Sequence, residues 1–375
     1  FTSGSTGEPK GIVHSVAGYL LYSKFTASTQ FGMNSKSIVC TASDAGWMNG
    51  HTYALFGPLL HNSTTILLET PILLLKEKVL KKILSLKTTI LYLPVTLIRL
   101  MKSVYNSKYS NKNSLLTLGS MGEPLAKEIA FWFSNFFLRK NKPIVNAYYQ
   151  TENGAIISSP KFSDDIKKTP HGSVGRLTYK YMKTCHLQTK NKKELIIRTP
   201  WPGCMTDVIN GEKIWNKYWD KNNFFRMFDL ATIKNKNLYI HGRTDDVINI
   251  RGHRIGSEEI ESVVLSNKSV IECCAVSCPD YFEGDVFYLF LVKGKYVNNK
   301  IINNIIYNSF GKFALPKQIY TIPEMPKTRS GKILRRVLRD IIINKNSISK
   351  KLSYGDLSTM LNPNLIKKLE NVVND

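Results

Sequence analysis

The sequence predicts an α/β protein with a large N-terminal domain and a small α+β C-terminal domain. Two observations carry this prediction. Apolar strand-like runs alternate with amphipathic helical stretches up to about residue 160, and a new strand–helix pattern begins after a charged turn near residue 245. With 375 residues, of which 43% are hydrophobic, the chain can bury one large core and a smaller one.

The first domain is predicted to contain a mostly parallel sheet, because its strands and helices alternate. Five segments have the apolar, β-branched composition of strands: 37–42, 64–69, 88–94, 115–120 and 143–149. Three amphipathic stretches between them are predicted helices: 76–87, 95–105 and 124–138. Residues 194–241 read as short strands and turns, which predicts an α+β or β-rich subdomain of the same domain.

The second pattern starts with the strand VINIRG and continues with the helix SEEIESVVLSN and the strands ECCAVSC and VFYLFLVK. We therefore place the large domain at 1–244, a connecting turn at 245–246, the small domain at 247–342 and a polar tail at 343–375. The chain starts with Phe1, and a glycine-rich motif follows at once without a preceding strand. We expect an N-terminally truncated fragment whose large domain is incomplete.

Composition argues against two classes of protein. No apolar run reaches the roughly 18 residues that span a bilayer, and the first residues do not read as a signal segment, so we expect no membrane partner. The six cysteines lack both the C-x-x-C spacing of a zinc site and the regularity of a disulfide framework. This usage favours a reducing compartment: the cytoplasm, with the nucleus as a second possibility.

The formal net charge of +24 would suit a protein that binds nucleic acid or another anionic ligand. The lysines are scattered through predicted loops and helix faces, however, and no zinc-finger, RNP or basic-zipper pattern accompanies them. A solvated basic surface is therefore the favoured interpretation, and we expect no specific nucleic-acid partner. A basic nucleic-acid-associated protein remains an alternative class.

Four motifs carry residues that could bind a nucleotide. The first, Thr2–Gly11, combines glycines, hydroxyls and Lys10, so its amides and ammonium could cradle a phosphate. A flexible glycine-serine loop is an equally good interpretation of this motif alone. The second, Tyr148–Gly154, follows a predicted strand end, where Glu152 beside Thr151 could hold a magnesium–nucleotide complex. A solvated turn is the alternative there.

The third motif places Arg243 and Arg254 on either side of a glycine-rich turn, from which two guanidinium groups could reach ribose and phosphate oxygens. A charged linker between domains is the other interpretation. The fourth motif, Pro326–Lys332, places Lys332 on a glycine-bearing loop before a basic helix. By itself it indicates no more than a surface lysine.

In their order along the chain, these motifs resemble those of the adenylate-forming superfamily, which contains acyl-CoA synthetases, luciferases and the adenylation domains of peptide synthetases. The resembling segments are TSGSTGEPKG, YQTENG, GRTDDVINIRGHRIGSEEIES and PKTRSGKILRRVLR. Further segments look like those of acetyl-CoA synthetases: SDAGWMNGHTYALFGPLL, LGSMGEPL, TPWPG and YGDLSTMLNPNLIKKLE. The resemblance runs from residue 1 to about residue 370.

The resemblance implies an acid–thiol ligase that uses ATP and Mg²⁺ to convert a short carboxylate, acetate first and propionate next, into acyl-AMP and pyrophosphate. The acyl group would then pass to coenzyme A. Glu152 would hold Mg²⁺, Lys332 would be the catalytic lysine, and Asp245 would be the hinge about which a mobile small domain rotates. Nucleotide-binding roles are implied for Thr2, Ser3, Ser5, Thr6, Lys10, Gly122, Glu123, Pro124, Asn146, Tyr148, Gln150, Thr151, Asp229, Arg243 and Arg254.

By the same resemblance, the acyl pocket is walled by Met48, Asn49, Met121 and Tyr149, and coenzyme A passes Asn49 and Arg251. Tyr149 stands where acetyl-CoA synthetases typically have Trp, and the other wall positions typically have small or β-branched residues. Phe228 stands where a Gly usually precedes the ribose-binding Asp, and Arg251 replaces a small polar residue. These departures leave open a degenerate, inactive homologue that binds nucleotide or coenzyme A, and the truncated chain could be inactive on its own.

Overall fold

The structure is a computed structural model. It describes residues 10–44, 46–105, 113–123, 125–138, 142–179, 184–189, 192–198, 200–209, 211–244, 247–250, 253–267, 269–280, 284–294, 297–328, 333–346, 354, 357 and 360–374. For 184–189, 192–193, 247–250, 253–254 and 284–285 only the backbone is described. The chain divides into two compact units, Phe1–Ile240 and His241–Asp375. In the described part of the chain, no helix combines the length and the apolar character needed to cross a membrane.

The strands are numbered in chain order. In the first unit they are β1 (Ile12–Val13), β2 (Ile38–Thr41), β3 (Thr64–Ile66), β4 (Ile90–Pro94), β5 (Thr117–Met121), β6 (Val145–Asn146), β7 (Ser158–Ser159), β8 (Arg176–Leu177), β9 (Thr184–Thr189), β10 (Lys192–Ile197), β11 (Asp207–Val208) and β12 (Phe225–Lys234). Strand β13 (Asn237–Arg243) begins in the first unit and ends in the second. In the second unit they are β14 (Val247–Ile250), β15 (His253–Gly256), β16 (Val270–Asp280), β17 (Gly284–Lys293) and β18 (Gln318–Thr321).

The helices of the first unit are α1 (Val16–Phe31), α2 (Met48–His51), α3 (Gly57–Leu60), α4 (Glu77–Ser85), α5 (Val95–Val104), α6 (Lys127–Leu138) and α7 (Glu212–Lys217). A π-helical turn, Thr52–Phe56, joins α2 to α3, and 3₁₀ turns occupy Pro71–Leu75 and Thr151–Asn153. The second unit has α8 (Ser257–Leu265), α9 (Asn299–Phe310), α10 (Arg335–Asn346) and α11 (Leu365–Asn374), with a 3₁₀ turn at Lys312–Ala314.

A five-stranded parallel sheet in the order β3-β2-β4-β5-β6 forms the centre of the first unit. The five predicted strands and the three predicted helices are therefore confirmed, although β6 is shorter than its predicted segment. Neighbouring residues of β4 point to opposite faces. Ile90 and Tyr92 belong to one buried cluster, whereas Leu91 and Leu93 belong to the other. Burial on both faces explains why this strand reads as an uninterrupted apolar run.

The β-rich part predicted at 194–241 is an antiparallel sheet in the order β13-β12-β10-β9. The pairing of β10 with β12 shifts register: Glu194 pairs with Leu230, but Ile196 pairs with Arg226. Strand β12 thus carries two extra residues between these pairs, which is a β-bulge. The bulge surrounds Phe228 and Asp229.

The second unit has a five-stranded sheet in the order β15-β14-β17-β16, with β18 parallel to β17. The long hairpin of β16 and β17 alternates between two buried clusters. Cys274 and Phe290 face the cluster that contains α10 and α11, whereas Cys273 and Leu289 face the cluster that contains α8 and α9. As predicted from their apolar surroundings, the cysteines of β16 behave as small buried hydrophobic residues.

Residues 343–375, assigned above to a polar tail, contribute to the core of the second unit. Helix α10 continues through residue 342 to Asn346. Helix α11 places Leu365, Leu369 and Val373 in the same buried cluster as strands β16 and β17. The spacing of four residues between these three side chains puts them on one face of the helix. The many lysines and asparagines of this segment lie between them and hide that periodicity in the composition.

We expect Leu369→Ala to destabilise the second unit by about 2–4 kcal/mol, because the Leu369 side chain is fully buried and its removal leaves a cavity. Leu361→Ala is the matched control: Leu361 is 59% exposed, and its truncation should change the free energy of unfolding by less than about 0.5 kcal/mol. Denaturant unfolding of both variants measures the difference. Equal stabilities would contradict the packing of α11 into the core.

Candidate active site

The candidate site lies at the carboxyl ends of the parallel strands β5 and β6, which pair side by side. Met121 is the last residue of β5 and Asn146 the last of β6. Gly122 follows with a φ of 89°, and a Cβ there would meet no described atom within 4 Å. Ligands of open α/β sheets bind at this edge, and the space beside Gly122 is open among the described residues.

The turn Thr151–Asn153 holds Glu152, and two distant segments of the chain hold the turn. Each of its carbonyl oxygens accepts a hydrogen bond: that of Thr151 from Nε2 of His14 (2.7 Å), that of Glu152 from the amide of Met205 (2.9 Å) and that of Asn153 from Nε1 of Trp201 (2.9 Å). Burial lowers the pKa of His14, so the imidazole is neutral at pH 7 with its proton on Nε2.

A close approach of two backbone segments ends this turn. Gly154 has a φ of 77°, and a Cβ there would lie 2.3 Å from the carbonyl oxygen of Gly203. Glycine is required at 154 for both reasons. The segment TPWPG therefore contributes Trp201 as a donor and Gly203 as the packing partner of the turn. The carboxylate of Glu152 is consequently carried on rigid backbone.

Glu152 belongs to a cluster of one carboxylate, one ammonium and one phenol. Oε1 of Glu152 accepts a short hydrogen bond from the Tyr218 hydroxyl and lies 3.8 Å from Nζ of Lys10. Nζ of Lys10 also donates to the Tyr218 hydroxyl at 2.7 Å and lies 5.1 Å from the centre of its ring. The glycine-rich first motif and the Glu152 motif thus meet. Tyr218 was not singled out from the sequence, because 66 residues separate it from Glu152.

Tyr218 is itself fixed by an aromatic cluster. Its ring stacks on Phe225 at a centroid distance of 5.6 Å and meets Phe228 edge-on at 5.3 Å. Three of the five tryptophans lie in the same cluster: Trp201 and Trp219 each at 5.4 Å from Phe225, and Trp215 at 5.2 Å from Trp219. The phenol that holds Glu152 therefore has little freedom to move.

This cluster fits a hard cation bound together with phosphate. Mg²⁺ takes oxygen ligands and is usually held by one or two carboxylates plus substrate phosphates. Glu152 is 6% exposed and offers one such carboxylate, while the Lys10 ammonium beside it can contact an anion. Among the described residues, no group of three or more His, Cys, Asp or Glu side chains could hold a metal ion alone. Phosphate oxygens would have to supply the remaining ligands.

A second carboxylate, Asp229, is bound by two residues of the YQTENG motif. Oδ2 of Asp229 accepts hydrogen bonds from the Tyr148 hydroxyl (2.5 Å) and from Nε2 of Gln150 (2.7 Å). Nε2 of Gln150 also donates to the carbonyl of Met227 at 2.6 Å. Asp229 is 5% exposed. The structure therefore brings together three residues that the resemblance assigns to the nucleotide.

Phe228, the residue before Asp229, has a backbone conformation that glycine adopts readily and other residues rarely do. Phe228 has a φ of 53°, inside the bulge of β12. Its ring lies 4.7 Å from the guanidinium carbon of Arg226. Nε and Nη2 of Arg226 each donate to the buried carboxylate of Glu194 at 2.9 Å. Left-handed backbone costs an L-residue about 1–2 kcal/mol. The contacts of the ring compensate for this strain, and Asp229 still reaches Tyr148.

Of the four residues assigned to the acyl pocket, two are in direct contact. The Tyr149 hydroxyl donates a short hydrogen bond to Oδ1 of Asn49, which is buried at the start of α2. The same oxygen accepts a second hydrogen bond, from the Tyr92 hydroxyl at 3.2 Å. Met121 is 3% exposed and belongs to the cluster against which Tyr149 packs, and Met48 is half-buried. Tyr92 was not identified from the sequence, in which it reads as one more apolar strand residue.

Two further assigned residues have structural partners. The amide of Asn146 joins three elements, because Oδ1 accepts from the Ser120 hydroxyl at 3.2 Å and Nδ2 donates to the Ser173 carbonyl at 3.1 Å. Oε2 of Glu123 forms a 2.8 Å ion pair with Nη1 of Arg99 in α5. Asn146 thereby orients the strand end.

The remaining assigned residues divide into two groups. Arg243 is the last residue of β13, and Arg254 lies in β15 opposite Asn249, with only its backbone described. The residues that lie outside the described part of the chain are Thr2, Ser3, Ser5, Thr6, Pro124, Asp245, Arg251 and Lys332.

We expect Phe228→Gly to be more stable than Phe228→Ala by about 1 kcal/mol or more. Both variants lose the ring contacts with Tyr218 and Arg226, but only alanine keeps the cost of a positive φ. The two substitutions therefore serve as controls for each other, and denaturant unfolding measures the difference. An alanine variant at least as stable as the glycine variant would show that no strain resides at this position.

Two family models match the chain. The model of the AMP-binding enzyme family matches residues 1–195, and that of the AMP-binding enzyme C-terminal domain matches residues 259–332. Among curated proteins, the acetyl-coenzyme A synthetase 1 of Candida glabrata is 33% identical, over 98% of this chain and 55% of its own length. The acetyl-coenzyme A synthetase of Leptospira biflexa is 34% identical, over 98% and 58% respectively. The chain thus spans a little more than half the length of these relatives.

Solved structures share the fold. An anthranilate CoA ligase in complex with anthranoyl-AMP matches 90% of this chain and 66% of its own with a TM-score of 0.77 and 20% identity. The o-succinylbenzoate CoA synthetase of Bacillus subtilis, in complex with its acyl-adenylate intermediate, matches 90% and 68% with a TM-score of 0.75 and 22% identity. Because the AMP-binding model covers more than half of the 375 residues, the chain belongs to the family of AMP-binding enzymes.

Proposed function

We propose that the protein activates a short carboxylate, acetate first and propionate next, with ATP and then transfers the acyl group to coenzyme A. The observation that carries this proposal is the meeting of Lys10, from the glycine-rich motif, with the buried carboxylate of Glu152 at 3.8 Å. These are the ammonium and the carboxylate that a magnesium-bound triphosphate requires. The acetyl-coenzyme A synthetases to which the chain is similar support the choice of acid.

The nucleotide would bind along the ends of β5 and β6. In this proposal, Gly122–Pro124 and Asn146–Thr151 line the adenine, and Tyr148 stacks on it. Asp229 would accept hydrogen bonds from the ribose hydroxyls, for which Gln150 and Tyr148 hold its carboxylate in place. Thr2, Ser3, Ser5, Thr6 and Lys10 would surround the phosphates. Arg243 and Arg254 would add positive charge at the ribose and phosphates.

In the first half-reaction, a carboxylate oxygen of the acid attacks the α-phosphorus, and the bond from that phosphorus to the bridging oxygen breaks, releasing pyrophosphate. An acid with a pKa of about 4–5 is already ionised at neutral pH, so no base is needed. Two anions must nevertheless approach each other, and the proposed role of Lys10 and Lys332 is to supply positive charge and alignment. Magnesium bound through Glu152 would neutralise phosphate charge.

In the second half-reaction, the thiol of coenzyme A attacks the acyl carbon, and AMP leaves as the acyl–oxygen bond breaks. We propose that the small domain rotates between the two steps about Asp245, since hinges concentrate backbone changes in a few residues. Arg251 and Asn49 would lie along the path of coenzyme A. Rotation would withdraw Lys332, which serves only the first step.

The compartment that we propose is the cytoplasm, with the nucleus as the second candidate. Free thiols persist in reducing compartments. Cys40 and Cys204 are free thiols, and Cys273, Cys274 and Cys278 are buried in β16. This supports a reducing compartment without distinguishing the cytoplasm from the nucleus.

Acid-dependent exchange of pyrophosphate into ATP tests the first half-reaction, in a protein that contains the whole of this chain. We expect acetate to stimulate exchange and Glu152→Gln to reduce it at least a hundredfold, because a neutral amide binds a divalent cation far more weakly than a carboxylate does. The exposed Glu212 of α7 provides the control, and Glu212→Gln should keep the parental rate. If the parent protein shows no acid-dependent exchange, the proposed activity is refuted. The remaining interpretation is then a degenerate, inactive homologue.

Measuring the two half-reactions separately tests the proposed role of Lys332. We expect Lys332→Ala to abolish acyl-AMP formation while sparing thioester formation from acetyl-AMP supplied preformed, because the ammonium acts only at the α-phosphate. Lys300→Ala, on an exposed position of α9, should change neither rate. Equal loss of both half-reactions in Lys332→Ala would show that the lysine acts on folding or on both steps.

A further inference from the structure

The segment that leads into helix α11 is joined to the start of the fourth motif, residues 326–332. The amide of Leu361 donates to the carbonyl of Lys327 at 2.8 Å, and Met360 forms an isolated antiparallel bridge with Thr328. Met360 is 3% exposed and lies in the same buried cluster as α11. Residues near the end of the chain thus pair, backbone to backbone, with residues just ahead of the proposed catalytic lysine.

The two flanks of Lys332 pair with each other. Lys327 on one flank forms an isolated antiparallel bridge with Ile333 on the other, and the amide of Leu334 donates to the carbonyl of Pro326 at 2.8 Å. Ile333 is buried in the same cluster as α11. Lys332 directly precedes Ile333 in the sequence. Because consecutive Cα atoms are about 3.8 Å apart, whatever fixes Ile333 also limits where Lys332 can lie.

Two ion pairs attach these flanks to the rest of the second unit. Nζ of Lys327 donates a short hydrogen bond to Oε1 of Glu272 in β16, and both side chains are largely buried. Nη2 of Arg335 donates to both carboxylate oxygens of Glu261 in α8, at 2.8 and 2.7 Å. Hydrogen bonds between charged groups are stronger than neutral ones, so both flanks have a firm attachment.

Helix α11 is attached firmly enough to support the same flanks. Leu369 is fully buried, and the hydroxyl of Tyr354 donates a short hydrogen bond to Oε1 of Glu370. Nζ of Lys345 in α10 donates to the carbonyl of Val373 near the carboxyl end of α11, where a positive charge is favourable. This support lies beyond residue 332, where the match to the C-terminal-domain family model ends.

We propose that Met360 and Leu361, supported by α11, position Lys332 for acyl-AMP formation by fixing its flanks. We call the pairing of these two residues with Lys327 and Thr328 the C-terminal clamp. Met360 and Leu361 are positioning residues, because they act through the backbone of residues 327 and 328. The catalytic part of the inference rests on the proposed function, which assigns Lys332 to the first half-reaction alone. The clamp therefore matters for acyl-AMP formation and not for the thioester step.

Two substitutions at one position test the clamp in a protein that contains the whole of this chain. Leu361→Pro removes the amide that donates to Lys327, whereas Leu361→Ala keeps this amide and loses only an exposed side chain. Because small misplacements of a reacting group are costly, we expect Leu361→Pro to lower acetate-dependent pyrophosphate exchange by roughly tenfold or more. Thioester formation from preformed acetyl-AMP should stay at the parental rate. Leu361→Ala should change neither half-reaction.

A digestion that does not depend on activity tests the clamp itself. Trypsin cleaves after Lys and Arg, and the sequence offers it Arg329 and Lys332 between the paired flanks. Cleavage of a folded protein requires local opening, so its rate reports how firmly the flanks are held, and we expect Leu361→Pro to be cut there about tenfold faster than Leu361→Ala. Cleavage after Arg339, in the middle of α10, should be equal in both variants if the unit is folded.

A second pair of variants keeps the test decisive if the proline weakens folding. Met360→Ala and Ile342→Ala each truncate a buried side chain of the same cluster, but only Met360 belongs to the clamp. We expect the rate of acyl-AMP formation, relative to that of thioester formation, to fall about fivefold or more in Met360→Ala, because the clamp loses its anchor in the core. The same ratio should be parental in Ile342→Ala, since a merely structural loss would affect both steps.

The clamp as a support of Lys332 is overturned if Leu361→Pro exchanges pyrophosphate as fast as Leu361→Ala, or if Met360→Ala and Ile342→Ala give the same ratio of half-reactions. Equal cleavage after Arg329 and Lys332 in the two Leu361 variants would show that no clamp restrains this segment. A parent with no acid-dependent exchange would refute the proposed function and the catalytic part of this inference. The digestion alone would then decide whether the clamp exists.

Discussion

The site depends on the way in which the turn Thr151–Asn153 is held. Three backbone carbonyls in succession accept hydrogen bonds from His14, Met205 and Trp201, which belong to two distant parts of the chain. On a mobile turn, a buried carboxylate would move outward to be solvated by water, and it would no longer be held in position to bind a cation. Anchored on this turn, Glu152 stays beside Lys10 and Tyr218. The preorganisation of the charged groups is therefore a property of the backbone that carries them.

The parallel sheet could be predicted because its signal is local. A strand that is buried on both faces must be apolar throughout, as in β4, and helices with buried stripes lie between such strands. Glu152 and Gln150 could also be singled out from the sequence, because both belong to the short local motif YQTENG. The C-terminal helix α11 was not, because lysines and asparagines fill the positions between its buried residues.

The residues that the sequence did not reveal act through distant partners. Tyr218 is 66 residues from Glu152, and Tyr92 is 43 residues from Asn49. No periodicity or spacing connects such pairs, because tertiary folding alone brings them together. The case of Phe228 is different. A bulky side chain disfavours a positive φ, yet Phe228 has a positive φ inside the register shift of β12. Local preference is overridden there by strand pairing and by the ring contacts of Phe228.

The aromatic cluster behind Tyr218 has a spectroscopic consequence. Indole emission responds to nearby charge and packing. Trp201 and Trp219 lie two ring contacts from the phenol that binds Glu152, and Trp215 lies three away. Trp201 also donates directly to the turn that carries this carboxylate. The protein therefore contains built-in fluorophores next to the cluster of Lys10, Glu152 and Tyr218. Events at that cluster can be followed by intrinsic fluorescence, without attaching a dye.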